Sequence, residues 1–299
     1  MNCNYSIVIP HFNTPELLAK MLKSIPNRND IQVIVVDDCS SEKSLIALKQ
    51  LVHENLEIHY LDQNLGAGHA RNVGLKYVKG EWVLVVDADD VFAPNTFKVL
   101  DMYKDLSTDY FCFRIMVIDS NGNPKGSNVS DKSVGAYLKK KNRNSINLFK
   151  YKNTVCWNKM VSAEFIRRKG ICFEECQVNN DVLFNFMIGL YAKDFIVIPD
   201  ILYYPTLINS SSITRQERSV EKEFMFYLQA QKRNGFYKKI GLWYWPFYRY
   251  DIFYILFFIK KHGICFVFKF FHYCRIHQQE IKDARTAYLS LFDNRTTDI

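Results

Sequence analysis

Along the first hundred residues, short and nearly unbroken apolar runs alternate with longer stretches in which apolar positions recur at helical spacing. Tyr5-Ser-Ile-Val-Ile9 and Ile31-Gln-Val-Ile-Val-Val36 are compact and β-branched, the pattern of buried strands. Pro10 is expected to close the first. Thr14-Pro15 then supplies an N-cap and a proline at the first helical position, which opens a helix to about Ile25. The second strand ends in Asp37-Asp38-Cys39-Ser40-Ser41, where serine caps a helix through Leu51, and Leu56–Tyr60 forms a third strand. A helix follows from Gly66 to Val78. Glu81-Trp-Val-Leu-Val-Val86 is a fourth strand that runs straight into Asp87-Ala88-Asp89-Asp90, and Pro94 begins the next helix. This alternation predicts an α/β fold: a mostly parallel, Rossmann-like sheet covered by helices on both faces. Ligands of such sheets bind beyond the carboxyl ends of the strands, so the acidic clusters at 37–38 and 87–90 are expected to face one crevice.

Composition adds a second region to this picture. The 299 residues are 48% hydrophobic and 15% aromatic, enough for a packed core and too much for wholesale disorder. The net charge of +8 is unevenly held: Lys232 to Arg275 carries nine basic residues and a single acid, Asp251, so the rest of the chain is neutral overall. Seventeen of the 45 aromatic residues lie between Phe236 and Tyr273, in the same segment. We therefore expect a charge-balanced α/β body over residues 1–218 and a helical, aromatic and basic region over 219–299. Arg249, Asp251 and Pro246 argue against a spanning helix, and no apolar run reaches the roughly 20 residues a bilayer needs. Aromatics mixed with Lys and Arg fit an interfacial segment at 236–275. The alternative is a helical subdomain whose aromatics form core or a homodimer interface. No recognition motif accompanies the segment, so nucleic acid is not an expected partner. Eight cysteines without a CxxC pair read as reduced cytosolic thiols, and a cleaved secretory signal is not expected.

Three carboxylates within four residues at the end of a buried strand repel one another unless a cation is shared among them, and an all-oxygen donor set suits Mg²⁺ or Mn²⁺. Asp37-Asp38 can be explained in the same way or as helix capping. Asn64-Leu-Gly-Ala-Gly-His-Ala-Arg71 matches only part of the dinucleotide fingerprint and follows the third strand rather than the first, which argues against a nicotinamide enzyme. It is either a tight turn into a helix or a loop that brings Arg71 to a phosphate or a carboxylate.

These segments, namely Ser6-Ile-Val-Ile-Pro-His-Phe-Asn13, Ile34-Val-Val-Asp-Asp-Cys-Ser-Ser41, Asn64 to Gly74 and Gly80-Glu-Trp-Val-Leu-Val-Val-Asp-Ala-Asp-Asp90, resemble in order and spacing the family 2 glycosyltransferases of the GT-A fold, among them those that build bacterial surface polysaccharides. The resemblance is dense over residues 5–100 and thinner to about 215. It implies that Pro10, Asn13, Asp38, Arg71, Asp87 and Ala88 line a nucleotide-sugar pocket, with Asp38 accepting from the imide of a uracil. Asp89 would be the metal ligand of the DxD motif, and Asp90 would support the cluster. The catalytic base would be Asp181 in Asn179-Asn-Asp181, which departs from the family's Glu-Asp pair by placing Asn180 in the Glu position. Cys156-Trp157-Asn158-Lys159 resembles a Trp-x-Lys segment near the donor sugar, with a packed edge-strand tryptophan as the alternative. Tyr203-Tyr204 and Ser210 to Arg215 resemble a late loop in which Arg215 would meet the diphosphate. The resemblance thus implies an inverting, Mn²⁺- or Mg²⁺-dependent transfer of a hexosyl or N-acetylhexosaminyl group from a UDP-sugar to a saccharide or lipid-linked saccharide acceptor, at the inner face of the cell membrane. The rival class is a homologue that binds a nucleotide-sugar without transferring it.

Overall fold

The computed structural model describes residues 3–207, 219–242 and 251–292. The chain divides into two compact units, Met1–Asn209 and Ser210–Ile299. The first is built on an eight-stranded sheet of order β3-β2-β1-β4-β9-β6-β10-β5. Its parallel half consists of β1 (Tyr5–His11), β2 (Ile31–Asp37), β3 (Leu56–Tyr60) and β4 (Trp82–Val85), connected by α1 (Pro15–Ser24), α2 (Glu42–Leu48) and α3 (Ala67–Leu75). Every residue of β1 and β2 is buried, as strands covered on both faces must be. β5 (Val91–Phe92) and α4 (Thr96–Asp101) lead to β6 (Tyr110–Ile115), and a small second sheet joins β7 (Val117–Asp119), β8 (Pro124–Gly126) and a later strand. α5 (Val129–Lys139) and α6 (Arg143–Lys152) precede β9 (Lys159–Ser162), which lies antiparallel between β4 and β6. α7 (Ala163–Lys169), α8 (Asp181–Tyr191), β10 (Phe195–Tyr204) and β11 (Thr206–Leu207) complete the unit.

Pro10 does not close β1, which continues to His11 although it is a central strand. Along β1, the even positions face β4 and the odd ones β2: Val8 accepts from Val86, and His11 accepts from Asp38. The pairing with β4 stops at Val8, so the proline nitrogen points where no ladder partner remains. The early helices also stop short of their expected ends. Lys76 and Tyr77 bond back three residues, to Val73 and Gly74, and Gln50 and Leu51 do the same to Ala47 and Leu48, so each helix finishes in a tightened turn. α4 begins at Thr96 rather than Pro94 because Asn95 is left-handed, at φ 63°.

The second unit contains α9 (Val220–Lys239), α10 (Asp251–His262), α11 (Ile264–Ile276) and α12 (Gln278–Thr286). Phe224, Tyr227, Phe258, Val267 and Phe270 form its core. Buried Glu223 on α9 takes Lys261 Nζ at 2.7 Å and His262 Nε2 at 3.1 Å, which fixes the end of α10. Among the described residues, no helix is long and apolar enough to cross a membrane.

Candidate active site

The carboxyl ends of β1 and β2 are knitted together by side chains that the sequence places just past each strand. Asp37 accepts from His11 Nδ1 at 2.7 Å, from Ser40 N at 2.9 Å and from Ser40 Oγ at 2.6 Å. Asn13 is left-handed at φ 55°, a conformation asparagine tolerates, and ties the two loops. Its N–H donates to Ser40 Oγ, and its Oδ1 accepts from Ser41 N. Buried Asp38 is turned toward the β3–α3 loop, where Leu65 N and Gly66 N donate to its two oxygens at 2.9 and 2.8 Å. Neither aspartate caps α2. Each Asp38 oxygen keeps a second lone pair for a further donor.

Past β4, the carboxylates of Asp87, Asp89 and Asp90 can each bring an oxygen within 4.8 Å of the others. Asp90 is the structural member: Tyr203 Oη donates to it at 2.9 Å and Thr206 N at 2.7 Å, while Asp87 N donates to the same Tyr203 oxygen. Burial, with Asp89 and Asp87 beside it, pushes the Asp90 carboxyl well above its usual range. Asp89 offers its surface to solvent, yet the surrounding protein and the Asp87 charge raise it to about 6. Ala88, between them, is buried.

Arg71 joins this cluster to the candidate base. Buried on α3, it donates from Nη2 to Asp87 Oδ1 and from Nη1 to Asn180 Oδ1, both at 2.6 Å, with its guanidinium 5.3 Å from the Phe173 ring centre. Its Nε is buried and makes no hydrogen bond. Asn180 sits at the N-cap of α8 without capping it, since its oxygen is given to Arg71. Asp181 opens the helix. Burial raises its carboxyl to about 6, with Arg71 and Lys159 pulling it down and Asp87 pushing it up. Asn185, one turn on, donates to Asp181 O at 2.7 Å and Thr154 O at 2.8 Å, which pins the start of α8 to the 154–158 segment. Buried Lys159 secures the same segment: its ammonium donates to Asn153 O, Val155 O and Asn158 Oδ1, so all three donors are used. Trp157 stacks on Tyr203, with ring centres 5.4 Å apart, and precedes an interior strand rather than an edge. Arg215 and the Ser210 to Arg215 loop lie outside the described residues.

The paired glycines differ in role: Gly66 takes a positive φ of 90°, and Gly68 is needed for packing. A Cβ on Gly68 would fall on the carbonyl oxygen of Glu174, so only glycine lets α3 receive the 172–180 segment. Asn72 fastens that segment through Phe173 N and O, and His69 and Asn72 both bond Glu175. Gly68→Ala is expected to lift it, read as faster amide hydrogen exchange across 172–180 with β1 and β2 unchanged.

The family model for glycosyl transferase family 2 matches residues 6–168, more than half of the chain. The chain belongs to this family. As a family 2 member it is 27% identical over 208 residues to the poly(ribitol-phosphate) beta-N-acetylglucosaminyltransferase TarS of Staphylococcus aureus, a match that covers 67% of this chain and 35% of TarS. It is 24% identical over 231 residues to the minor teichoic acid biosynthesis protein GgaB of Bacillus subtilis, covering 75% of this chain and 25% of GgaB. The chain thus spans about a third and a quarter of these relatives. Among solved structures, S. aureus TarS 1-349 in complex with UDP-GlcNAc superposes with a TM-score of 0.60 at 25% identity, covering 76% of this chain and 64% of that one. The Pyrobaculum calidifontis mannosyltransferase PcManGT shares the fold at 16% identity and a TM-score of 0.52, covering 77% of this chain and 62% of that one. The expected GT-A fold is therefore present. Tyr203 and Tyr204, grouped by the sequence with a late loop, instead end strand β10, where the Tyr203 phenol finds its buried partner in Asp90 and orders the acidic cluster.

Proposed function

We propose that this family 2 chain is an inverting, divalent-metal-dependent glycosyltransferase that moves a hexosyl or N-acetylhexosaminyl group from a UDP-sugar to an acceptor hydroxyl in surface polysaccharide assembly. The observation that carries this reading is the bridge from Asp87 through Arg71 to Asn180, which sets Asp181 beside the acidic cluster instead of leaving it a remote helix start. UDP-GlcNAc is the first donor to try, since TarS has been crystallised with it. The pocket walls would be Pro10, Asn13 and Asp38, with Asp38 taking the uracil imide on its remaining lone pairs. We place the protein at the cytoplasmic face of a membrane, with a lipid-linked saccharide as the natural acceptor.

The donor set fits a hard divalent ion. Three carboxylates converge, and burial first, then the like charges beside them, raise Asp89 and Asp90, so a cation among them would be favoured. Asp89 would be the principal ligand and Asp87 a second, with Asp90 held in place by Tyr203 and Thr206. When bound, Mn²⁺ or Mg²⁺ supplies positive charge that stabilises the departing diphosphate. Asp181 takes the proton of the acceptor hydroxyl as its oxygen attacks the anomeric carbon. The bond from that carbon to the diphosphate oxygen breaks in line, UDP leaves, and an α-linked donor gives a β-linked product. Lys159, with its donors committed, acts by holding the 153–158 segment and by its charge.

The test is a panel of UDP-, GDP- and CDP-sugars with Mn²⁺ or Mg²⁺ and saccharide or lipid-linked acceptors, reading released nucleotide. UDP release from one donor, lost with chelator and in Asp89→Ala, is the expected result. Metal-dependent binding with no release in the presence of any acceptor would overturn the transferase reading.

A further inference from the structure

The aromatics of the second unit divide into two sets. On α10, Phe258 and His262 turn inward, and on α11 Val267 and Phe270 do, joining Phe224 and Tyr227 in one core. The stripe on the other side of both helices is open. Phe268 is 70% exposed, Ile276 65%, Leu256 57% and Ile264 53%, with Phe257, Ile259 and Phe271 beside them. Large apolar groups at this exposure, on consecutive helices of one unit, need something to cover them. Charge says what. From Ile252 to Gln279 the sequence holds Lys260, Lys261, Lys269 and Arg275 and neither Asp nor Glu. Lys261 is spent on Glu223, whereas Lys260, Lys269 and Arg275 are exposed among the apolar residues. A second copy of the same face would bring these cations against one another without a counter-charge, whereas an anionic lipid surface accepts rings and aliphatic side chains at headgroup depth and the cations at the phosphates.

We propose that the outer face of α10 and α11 docks on an anionic lipid surface, with Leu256, Phe257, Ile264, Phe268 and Ile276 entering the interface and Lys260, Lys269 and Arg275 pairing with headgroup phosphates. This goes beyond the 236–275 segment read from sequence, because Phe236 and Tyr237 are buried and take no part. It stands independently of the transferase reading. The experiment floats the full chain with vesicles of phosphatidylglycerol and phosphatidylcholine, or of phosphatidylcholine alone. Binding to the anionic vesicles only, weakened by salt, is expected. Each exposed basic residue near such a surface is worth roughly five-fold in partitioning, so Lys260→Gln with Lys269→Gln loses about 25-fold. Phe257→Ser with Phe268→Ser abolishes binding while the circular dichroism spectrum and the thermal midpoint are retained. Absence of binding, binding indifferent to lipid charge, or a dimeric mass by light scattering that falls to one chain in the Phe variant without any vesicle binding would each overturn the proposal.

Discussion

Asp181→Asn lowers kcat by about 10³-fold, within the 10²–10⁴ range for loss of a general base, while the affinity for donor stays close to that of the parent. The parent's kcat/KM falls about ten-fold per pH unit below about 6, because the carboxyl of Asp181 is raised to about 6 and works only when ionised. At a saturating metal concentration, which keeps Asp89 ionised, the variant lacks that limb. The same shift sets the sign of a stability effect. A carboxyl whose folded value lies above its unfolded one favours folding when protonated; that contribution is complete below the unfolded value of about 3.8 and is lost as pH rises through 6. At pH 7 the parent therefore carries an ionised group in an unfavourable place. Asp181→Asn removes it, so its Tm at pH 7 is expected to be higher than the parent's and the gap to close by pH 4. A variant that is both inactive and less stable at pH 7 would contradict the assignment.

Arg71→Ala carries the largest expected loss of stability. The guanidinium is buried and holds Asp87 and Asn180 together, so truncation leaves an uncompensated carboxylate and an unpaired amide oxygen. Breaking one side of a buried pair costs about 3–5 kcal/mol, and the partial exposure of Asp87 places this case near 3. Urea unfolding midpoints measure it. Arg71→Lys keeps the charge but cannot reach both acceptors with a fork, and should recover only part of the stability. Because the charge of Arg71 is the main influence pulling Asp181 down, the acid limb of activity moves above pH 6 in Arg71→Ala and much less in Arg71→Lys, which keeps that charge. An unmoved limb would separate Arg71 from the base.

The parallel half of the sheet was legible because β1, β2 and β4 are apolar runs with no competing period, and their ends are written as acidic clusters. The helix ends were less so, since Asn95 and the closing turns after Leu48 and Leu75 depend on single backbone conformations. β9 was legible only as the alternative of an edge strand at Trp157: Lys-Met-Val-Ser is too short for a periodic signal, and its interior place between β4 and β6 is decided by residues far away in sequence. In the site, the spacing of Asp87, Asp89 and Asp90 could be read as an ion site, but the division of labour among them could not, since Tyr203 and Thr206 arrive from more than a hundred residues downstream. Asn180 looked like a loss. In the structure its oxygen supplies the acceptor that Arg71 needs, without the added charge a glutamate would bring.

The interior position of β9 also imposes an order of events on the ribosome. Trp82, Val83 and Leu84 offer the free side of β4 once the first four strands have emerged, but their partner at 160–162 follows about 75 residues later. At 5–20 residues per second, that edge waits about 4–15 s. Until then the nascent chain presents an apolar strand with open backbone groups, the state most prone to pairing with a neighbouring chain on the same messenger and the one a holding chaperone would occupy.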